Sequence, residues 1–366
     1  MILHLLFDEK FSDYVIEQFQ KPEMQSDFVL VSNTNQMRYF TRLDAVYIIN
    51  PNKVDEMDQL LKNISNYNSV VFHGLFHPWQ EWLLNHWPEN VKIAWVCWGG
   101  EVYGQPDMRT KFLKPFSKLL YYLHSIRHHQ KKDEYIFPKL LLNKPDYCLT
   151  SIEAEYEYVK KHINNNIKHL RYSYYSIDET LGGLKECRCS GNNIFIGNSA
   201  TIENNHVETL LTLSRLKFGN RKVVIPLSYG TSWVRNMCLT IGYKLFGERL
   251  EPLLNFMPRD QYNAQMLDCC VMIQNHLREQ AHGNIVTGLW LGMRVYLSER
   301  GIDYQRFKLI GCKVYSIEKD LKPNNADALL PMSEEDVNYN RQILINNYGK
   351  NYMSQVISKT FNVLNE

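Results

Sequence analysis

Residues 193–213, NIFIGNSATIENNHVETLLTL, read as a strand, a turn and the start of a helix. Ile194, Phe195 and Ile196 form an apolar run of strand length that stops at Gly197. NHVETLLTLSRLKFG then continues as a helix, with Asn204 as its candidate N-cap. Downstream the alternation repeats: strand KVVIPLSYG, helix SWVRNMCLTIGYKLFG, a strand near residues 253–256, a helix over 261–267, strand CCVMIQN, helix NIVTGLWLGMRVYLS and strand KLIGCKVY. Upstream, apolar strands are expected at residues 1–7, 28–32, 45–50, 69–74, 92–100 and 145–151. Helices are expected over 54–67 and 79–87, and over IEAEYEYVKK with Ser151 as N-cap. Strands alternating with helices argue for parallel sheets covered by helices on both faces.

The chain turns irregular over 176–193, where Gly182, Gly183 and Gly191 cluster, and the boundary falls there. The expected fold class is α/β, with two Rossmann-like β/α domains facing each other across a cleft. Residues 1–180 form the first domain, 190–330 the second, and 331–366 a polar helical tail. A length of 366 residues suits two domains. With 45% hydrophobic and 22% charged residues the chain has the composition of a folded protein. Lys plus Arg number 41 against 39 acids, a balance of +2 that argues against general nucleic-acid binding. The opening MILHLLFDEK has no basic region ahead of its short apolar run, and no stretch approaches the ~18 apolar residues of a spanning helix. Eight scattered cysteines read as reduced, cytoplasmic thiols, Cys187, Cys189, Cys269 and Cys270 included.

Three turns in the second half suit a phosphate-bearing ligand. Gly197, Asn198, Ser199, Asn204 and His206 lie between a strand and a helix, where backbone N–H groups are free. Ser228, Tyr229 and Gly230 follow the strand ending in Pro226 and Leu227. Gln280, Gly283 and Asn284 open an apolar helix, with Arg278 and His282 adding positive charge beside a diphosphate leaving group. No G-x-G-x-x-G or G-x-x-x-x-G-K-[ST] occurs in these turns, which weighs against a dinucleotide dehydrogenase and a P-loop enzyme. In the first half, VFHGLFHP and WVCWGGEVYG end two strands, so His73, His77 and Glu101 are candidate acid/base groups. Trp79, Trp95, Trp98 and Tyr103 suit either sugar stacking or core. Asp8 and Glu9 are weaker candidates for holding a hydroxyl.

No acid occurs from Met108 to Lys132, where Arg109, Lys111, Lys114, Lys118, Arg127, Lys131 and Lys132 interleave with apolar residues. Such a stretch either lies on an anionic membrane surface or packs as a helix with a solvated basic face. His124 and His128 are one helical turn apart, but the surrounding cations oppose a metal, and no metal or cofactor is expected.

Taken together, F-H-G-x-F, W-G-x-E-x-Y, G-N-S-x4-N-x-H, V-x-P-L-x-Y-G and Gln-x2-Gly, in this order across residues 69–320, resemble the TDP-N-acetylfucosamine:lipid II N-acetylfucosaminyltransferases of enterobacterial common antigen synthesis. The resemblance implies a GT-B glycosyltransferase. Its donor side would comprise Gly197, Asn198, Ser199, Asn204, His206, Pro226, Leu227, Tyr229, Gly230, Gln280 and Gly283. His73, Gly74, Trp98, Gly99 and Glu101 would lie on the acceptor side, joined by His77. Glu101 stands where the enterobacterial enzymes carry Asp, and Cys270 where the related segment has Asp. The expected reaction moves a deoxyamino sugar, N-acetylfucosamine-like, from a TDP- or UDP-sugar to a polyprenyl-diphosphate-linked saccharide. Glu101, or else His73, would be the base, at the cytoplasmic face of the inner membrane. Two alternatives stand beside it: a nucleotide-sugar epimerase or hydrolase of the UDP-N-acetylglucosamine epimerase kind, and a non-catalytic lipid-saccharide binder.

Overall fold

The computed structural model describes residues 1–34, 36–128, 135–217 and 219–366. The chain forms two compact units, neither of them a continuous stretch. The first is Met1–Pro106, Asp133–Ser176 and Lys350–Glu366; the second is Asp107–Lys132 and Ile177–Gly349.

In the first unit the strands are β1 (Ile2–Leu6), β2 (Ser26–Val31), β3 (Tyr47–Ile49), β4 (Ser69–Phe72), β5 (Lys92–Val96), β6 (Tyr147–Thr150) and β7 (Lys168–Arg171). They form one sheet in the order β3-β2-β1-β4-β5-β6-β7, and every pairing is parallel. β1 and β4 are buried along their whole length, as strands covered on both faces must be. The helices are α1 (Ser12–Phe19), α2 (Val54–Ile64), α3 (Pro78–Asn85), the single turn α4 (Gly100–Tyr103), and, after α5 (Pro115–His128) of the second unit, α6 (Glu153–His162). The strand order reverses between β1 and β4, so the loops after these strands open at a topological switch point.

The second unit contains α7 (Ile177–Leu181), β8 (Asn193–Ile196), α8 (His206–Leu213), β9 (Val223–Pro226), α9 (Ser232–Phe246), β10 (Leu250–Leu253) and α10 (Arg259–Leu267). It continues with β11 (Cys269–Gln274), α11 (His282–Leu291), β12 (Arg294–Leu297), α12 (Ile302–Leu309), β13 (Tyr315–Ser316) and α13 (Glu334–Tyr348). Its six strands, also all parallel, run β10-β9-β8-β11-β12-β13, which puts the switch point between β8 and β11. The last helix, α14 (Lys350–Asn365), returns to the first unit and adds Ile357, Phe361 and Leu364 to its core.

Several elements differ from the sequence reading. The helix expected over 284–298 ends at Leu291, because Gly292 takes φ +87° and lets the chain enter β12, which pairs with β11. The strand expected over 308–315 is the end of α12 followed by a turn at Gly311 with φ +91°; only Tyr315 of it lies in a strand. Helix α6 begins at Glu153 with Ile152 at its cap, so Ser151 does not cap it. Asn204 lies in a short turn ahead of α8, whose cap position is Asn205 at φ +50°.

The segment Asp107–Lys132, expected in the first domain, belongs to the second unit. Glu208 on α8 accepts from the Ser117 N–H at 2.9 Å and from its hydroxyl at 2.6 Å, placing a carboxylate at the N-terminus of α5. The Asn205 amide Oδ1 accepts from the Lys114 N–H (2.7 Å), and its Nδ2 donates to Phe112 O (3.2 Å) and Asn275 O (3.0 Å).

Candidate functional site

At the carboxyl edge of the second sheet, the turns after β8, β9 and β11 meet through side chains. The Asn198 Nδ2 donates to the Tyr229 hydroxyl at 3.1 Å, and its Oδ1 accepts from Gln280 Nε2 at 2.8 Å. Gln280 Nε2 also reaches Thr201 Oγ1 at 3.3 Å, and Thr201 shares a hydrogen bond with the Ser199 hydroxyl at 3.2 Å. Gln280 is 7% exposed, yet its Oε1 has no hydrogen-bond partner. A buried amide oxygen left unpaired is costly, and a ligand donor would satisfy it. Tyr229 is exposed; burial of its hydroxyl raises its pKa, while its bonds to Ser199 and Asn198 and the nearby Arg278 cation pull the other way.

Two glycines here are dictated by geometry. Gly197 takes φ +61°, and a Cβ on it would lie 2.2 Å from His206 Cε1. Gly230 takes φ +111°, and a Cβ would meet the Ala200 carbonyl at 2.4 Å, where the two backbones form a bridge. Gly283 is different: its nearest neighbour to a Cβ is Thr180 at 3.9 Å, so neither space nor backbone demands glycine there.

Other residues expected to touch a donor are engaged in bonds within the turns themselves or packed beneath them. The Asn204 amide accepts from the Asn198 N–H (3.1 Å) and donates to Ser199 and Thr201, and the residue is fully covered. His206 is 2% exposed with Nε2 on the Ser199 carbonyl at 2.8 Å, and burial lowers its pKa to about 4, so it is a neutral brace. Pro226 closes strand β9 and Leu227 is core. The Ser228 carbonyl accepts from Arg235 (3.3 Å), and the Asn284 amide donates to Tyr262 (2.8 Å).

In the first unit, the loop after β4 carries His73 and the loop after β5 carries Trp98 and Glu101. Gly74 at φ +94° and Gly99 at φ +82° shape these two loops. Glu101 is 3% exposed, and its Oε1 accepts from the Trp95 indole N–H (2.8 Å) and the Trp98 N–H (3.1 Å). Its Oε2 makes no hydrogen bond. Burial pushes this carboxyl up to about 7, against the pull of its own N–H and those of Trp98, Trp95 and Leu75.

His73 has no free nitrogen: Nε2 shares a hydrogen bond with His4 Nδ1 (3.0 Å) and Nδ1 with the Tyr174 hydroxyl (3.0 Å), which also accepts from the Trp98 indole (2.9 Å). Burial, reinforced by His4, holds the His73 pKa well below the usual histidine range. That removes His73 as a base and makes it part of a buried network. His77 differs, being half-buried with a ring Nε2 that has no partner. Asp8 accepts the Arg38, Tyr39 and Phe40 N–H groups, so it ties down a loop rather than a ligand.

The basic stretch divides. Lys114 is paired with Glu318 at 2.8 Å. Lys111 is exposed with its ammonium 3.4 Å from Met108 Sδ, Arg109 and Lys118 are half-buried, and Arg127 is exposed. Phe116, Leu119, Tyr122, Leu123 and Ile126 of α5 are exposed, Ile126 to 72%. His124 stacks on Trp233 at 4.3 Å, while the side chain of His128, and Lys131 and Lys132, lie outside the described residues.

Residues that sequence reasoning did not single out complete both sites. Thr201 and Gln274 support the turn after β8, the latter donating to Gly197 O at 3.0 Å. His4, a polar residue inside the apolar run MILHLLF, and Tyr174, within the aromatic run YSYYS, were the visible signals for the histidine network.

No family model matches the chain, and no curated protein matches it in sequence. Solved structures do match along its whole length. A glycosyltransferase from Rickettsia africae superposes with TM-score 0.64 at 14% identity, covering 99% of this chain and 98% of that one. HepE of Anabaena, in complex with UDP and glucose, gives 0.60 at 10% identity over 99% and 100%. A mutant O-GlcNAc transferase of Thermobaculum terrenum gives 0.62 at 12% over 100% and 67%. At such identities the likeness establishes the fold, and that fold is GT-B, with parallel sheets of seven and six strands.

Proposed function

We propose that this protein is a glycosyltransferase that uses a nucleotide-sugar donor. The observation that carries the reading is the convergence of Asn198, Tyr229 and Gln280 from three separate turns at the switch point of the second sheet. Helix α11 begins directly after this cluster, so its N-terminal amides and Arg278 supply positive potential for a diphosphate. In the reaction the bond from the sugar's anomeric carbon to the diphosphate breaks and a bond to an acceptor hydroxyl oxygen forms. The nucleoside diphosphate leaves, and the hydroxyl proton passes to a base.

We assign that base to Glu101, whose carboxyl titrates near 7 and keeps one oxygen without a partner. Near wild-type turnover in Glu101→Gln would move the role to His77, the other group in these loops with an unpaired atom.

The finer reading is transfer of an N-acetylfucosamine-like deoxyamino sugar from a TDP- or UDP-donor to a polyprenyl-diphosphate-linked saccharide, supported by the motif resemblance. The same reading places the protein peripherally on the cytoplasmic face of the inner membrane. The apolar face of α5 beside Lys111, Lys118 and Arg127 supports that placement, being of the kind that anionic bilayers bind. No described helix is long and apolar enough to cross a membrane.

A thermal-shift screen of the folded protein with TDP, UDP, GDP and CMP in the presence of a chelator tests the donor site. A rise with TDP or UDP is expected, and no rise with any nucleotide would favour the non-catalytic binder. Release of nucleoside diphosphate should require the acceptor; product from the nucleotide-sugar alone would favour the epimerase or hydrolase. Vesicle co-sedimentation tests the last step: Leu119→Ser with Ile126→Ser should abolish retention on vesicles containing phosphatidylglycerol. Unchanged retention would refute it.

A further inference from the structure

We propose that Glu279, His282 and Asp303 hold a divalent transition-metal cation next to the turn that carries Gln280. One ligand atom from each residue lies within 4.8 Å of the others. Glu279 sits in the turn before α11, His282 is the first residue of that helix, and Asp303 is on the first turn of α12, so two elements converge on one point. A nitrogen and two carboxylate oxygens form a donor set suited to Zn2+ or Mn2+.

An independent observation is the unsatisfied state of Asp303. This residue is 2% exposed; its Oδ2 lies 3.2 Å from His276 Nδ1 and accepts weakly from the Gln280 N–H at 3.4 Å, but its Oδ1 has no partner. A carboxylate buried in that way lacks compensation for its lost hydration. The Glu279 and Asp303 carboxylates come within 4.8 Å of each other, and like charges that close repel. A bound dication removes that repulsion and supplies the missing partner. His276, 1% exposed at its side chain, then acts as the outer residue that orients the Asp303 ligand.

The site leaves no local signature, because Asp303 lies more than twenty positions from the Glu-x2-His pair and the spacing matches no metal motif. Its role would be to fix the turn, since Ala281 there holds φ +58° and the Gln280 N–H is tied to Asp303. The site stands apart from the nucleotide reading and is tested without nucleotide.

The full chain is stripped with chelator, passed over gel filtration, and titrated calorimetrically with Mn2+ and with Zn2+. One ion per chain is expected, with at least a tenfold weaker affinity in Glu279→Gln and in Asp303→Asn. Both variants should melt no lower than the stripped wild type, since each removes one of the repelling charges. Co2+ loaded into the wild type gives a readout that needs no variant: ligand-field bands without thiolate charge transfer are expected. No binding, binding that survives both substitutions, or a thiolate spectrum from the eight cysteines would each overturn the proposal. Ion binding with no nucleotide response even after the ion is restored would refute the donor site and leave this one standing; a nucleotide response without ion binding would refute this one alone.

Discussion

Replacing Glu101 by Gln separates the electrostatics of the first site from its chemistry. The carboxyl is raised from 4.5 to about 7 in the folded protein, chiefly by burial. Between those values the folded chain keeps a proton that the unfolded chain has released, so stability from this group is present at low pH and lost as pH rises. Integrating both titrations from pH 5 to 8 gives a loss of about 2.5 kcal/mol in the wild type and none in the variant. The amide keeps an oxygen for the Trp95 and Trp98 N–H groups, while its NH2 at the unpartnered Oε2 position costs about 1–3 kcal/mol at every pH. The slope against pH, not the absolute stability, is therefore diagnostic. Urea unfolding followed by tryptophan fluorescence reads this unit, because Trp79, Trp82, Trp87, Trp95 and Trp98 are five of the seven tryptophans. Parallel slopes for wild type and variant over pH 5–8 would refute a buried, proton-holding Glu101. Where turnover is measured, its rise with pH should be centred near 7 in the wild type.

Gly197→Ala forces a Cβ onto the His206 ring at a positive φ; it should destabilise by about 3 kcal/mol and remove the nucleotide-induced thermal shift, as differential scanning fluorimetry would show. Asn205→Ala breaks the bonds that tie Lys114 and Phe112 to the turn before α8 and to the loop after β11 within the second unit. We expect a loss of about 2–4 kcal/mol and early proteolytic cleavage near residues 107–114, read by limited digestion and mass spectrometry. His4 is held neutral by burial, its pKa lowered to about 3, so the unfolded state gains protons first as pH falls below 6.5. That costs about 2.7 kcal/mol at pH 4.5, and His4→Phe should lose that much less stability than the wild type between pH 7 and 4.5 in urea titrations.

What the sequence made legible follows from where the information lies. β8 and β11 were readable because a strand buried on both faces must be a continuous apolar run, and NIFI and CCVMIQ are such runs. β7 was not, since KHLR at the sheet edge buries only Leu170. GLWLGMRVYL reads as one helix because its apolar residues satisfy either period, and only the positive φ of Gly292 separates helix from strand. The site shows the same division. Asn198, Tyr229 and Gln280 stood at recognisable strand-to-helix turns. The bond from His73 to Tyr174 spans 101 positions and leaves no local trace, so a residue that looked like a free base is a closed one.

Helix α14 brings residues from the far end of the sequence into the core around β1, and the Ser69 hydroxyl donates to the Leu364 carbonyl at 2.8 Å. During synthesis, then, the first unit cannot seal when its own sheet has emerged. Ile357, Phe361 and Leu364 must still be translated and clear the ribosome, and at about 5–20 residues per second some 190 residues separate β7 from Leu364. The first unit therefore waits on the order of ten seconds or more with a hydrophobic face open, and the second unit is the one positioned to finish first. That order makes the early unit the natural client of a chaperone.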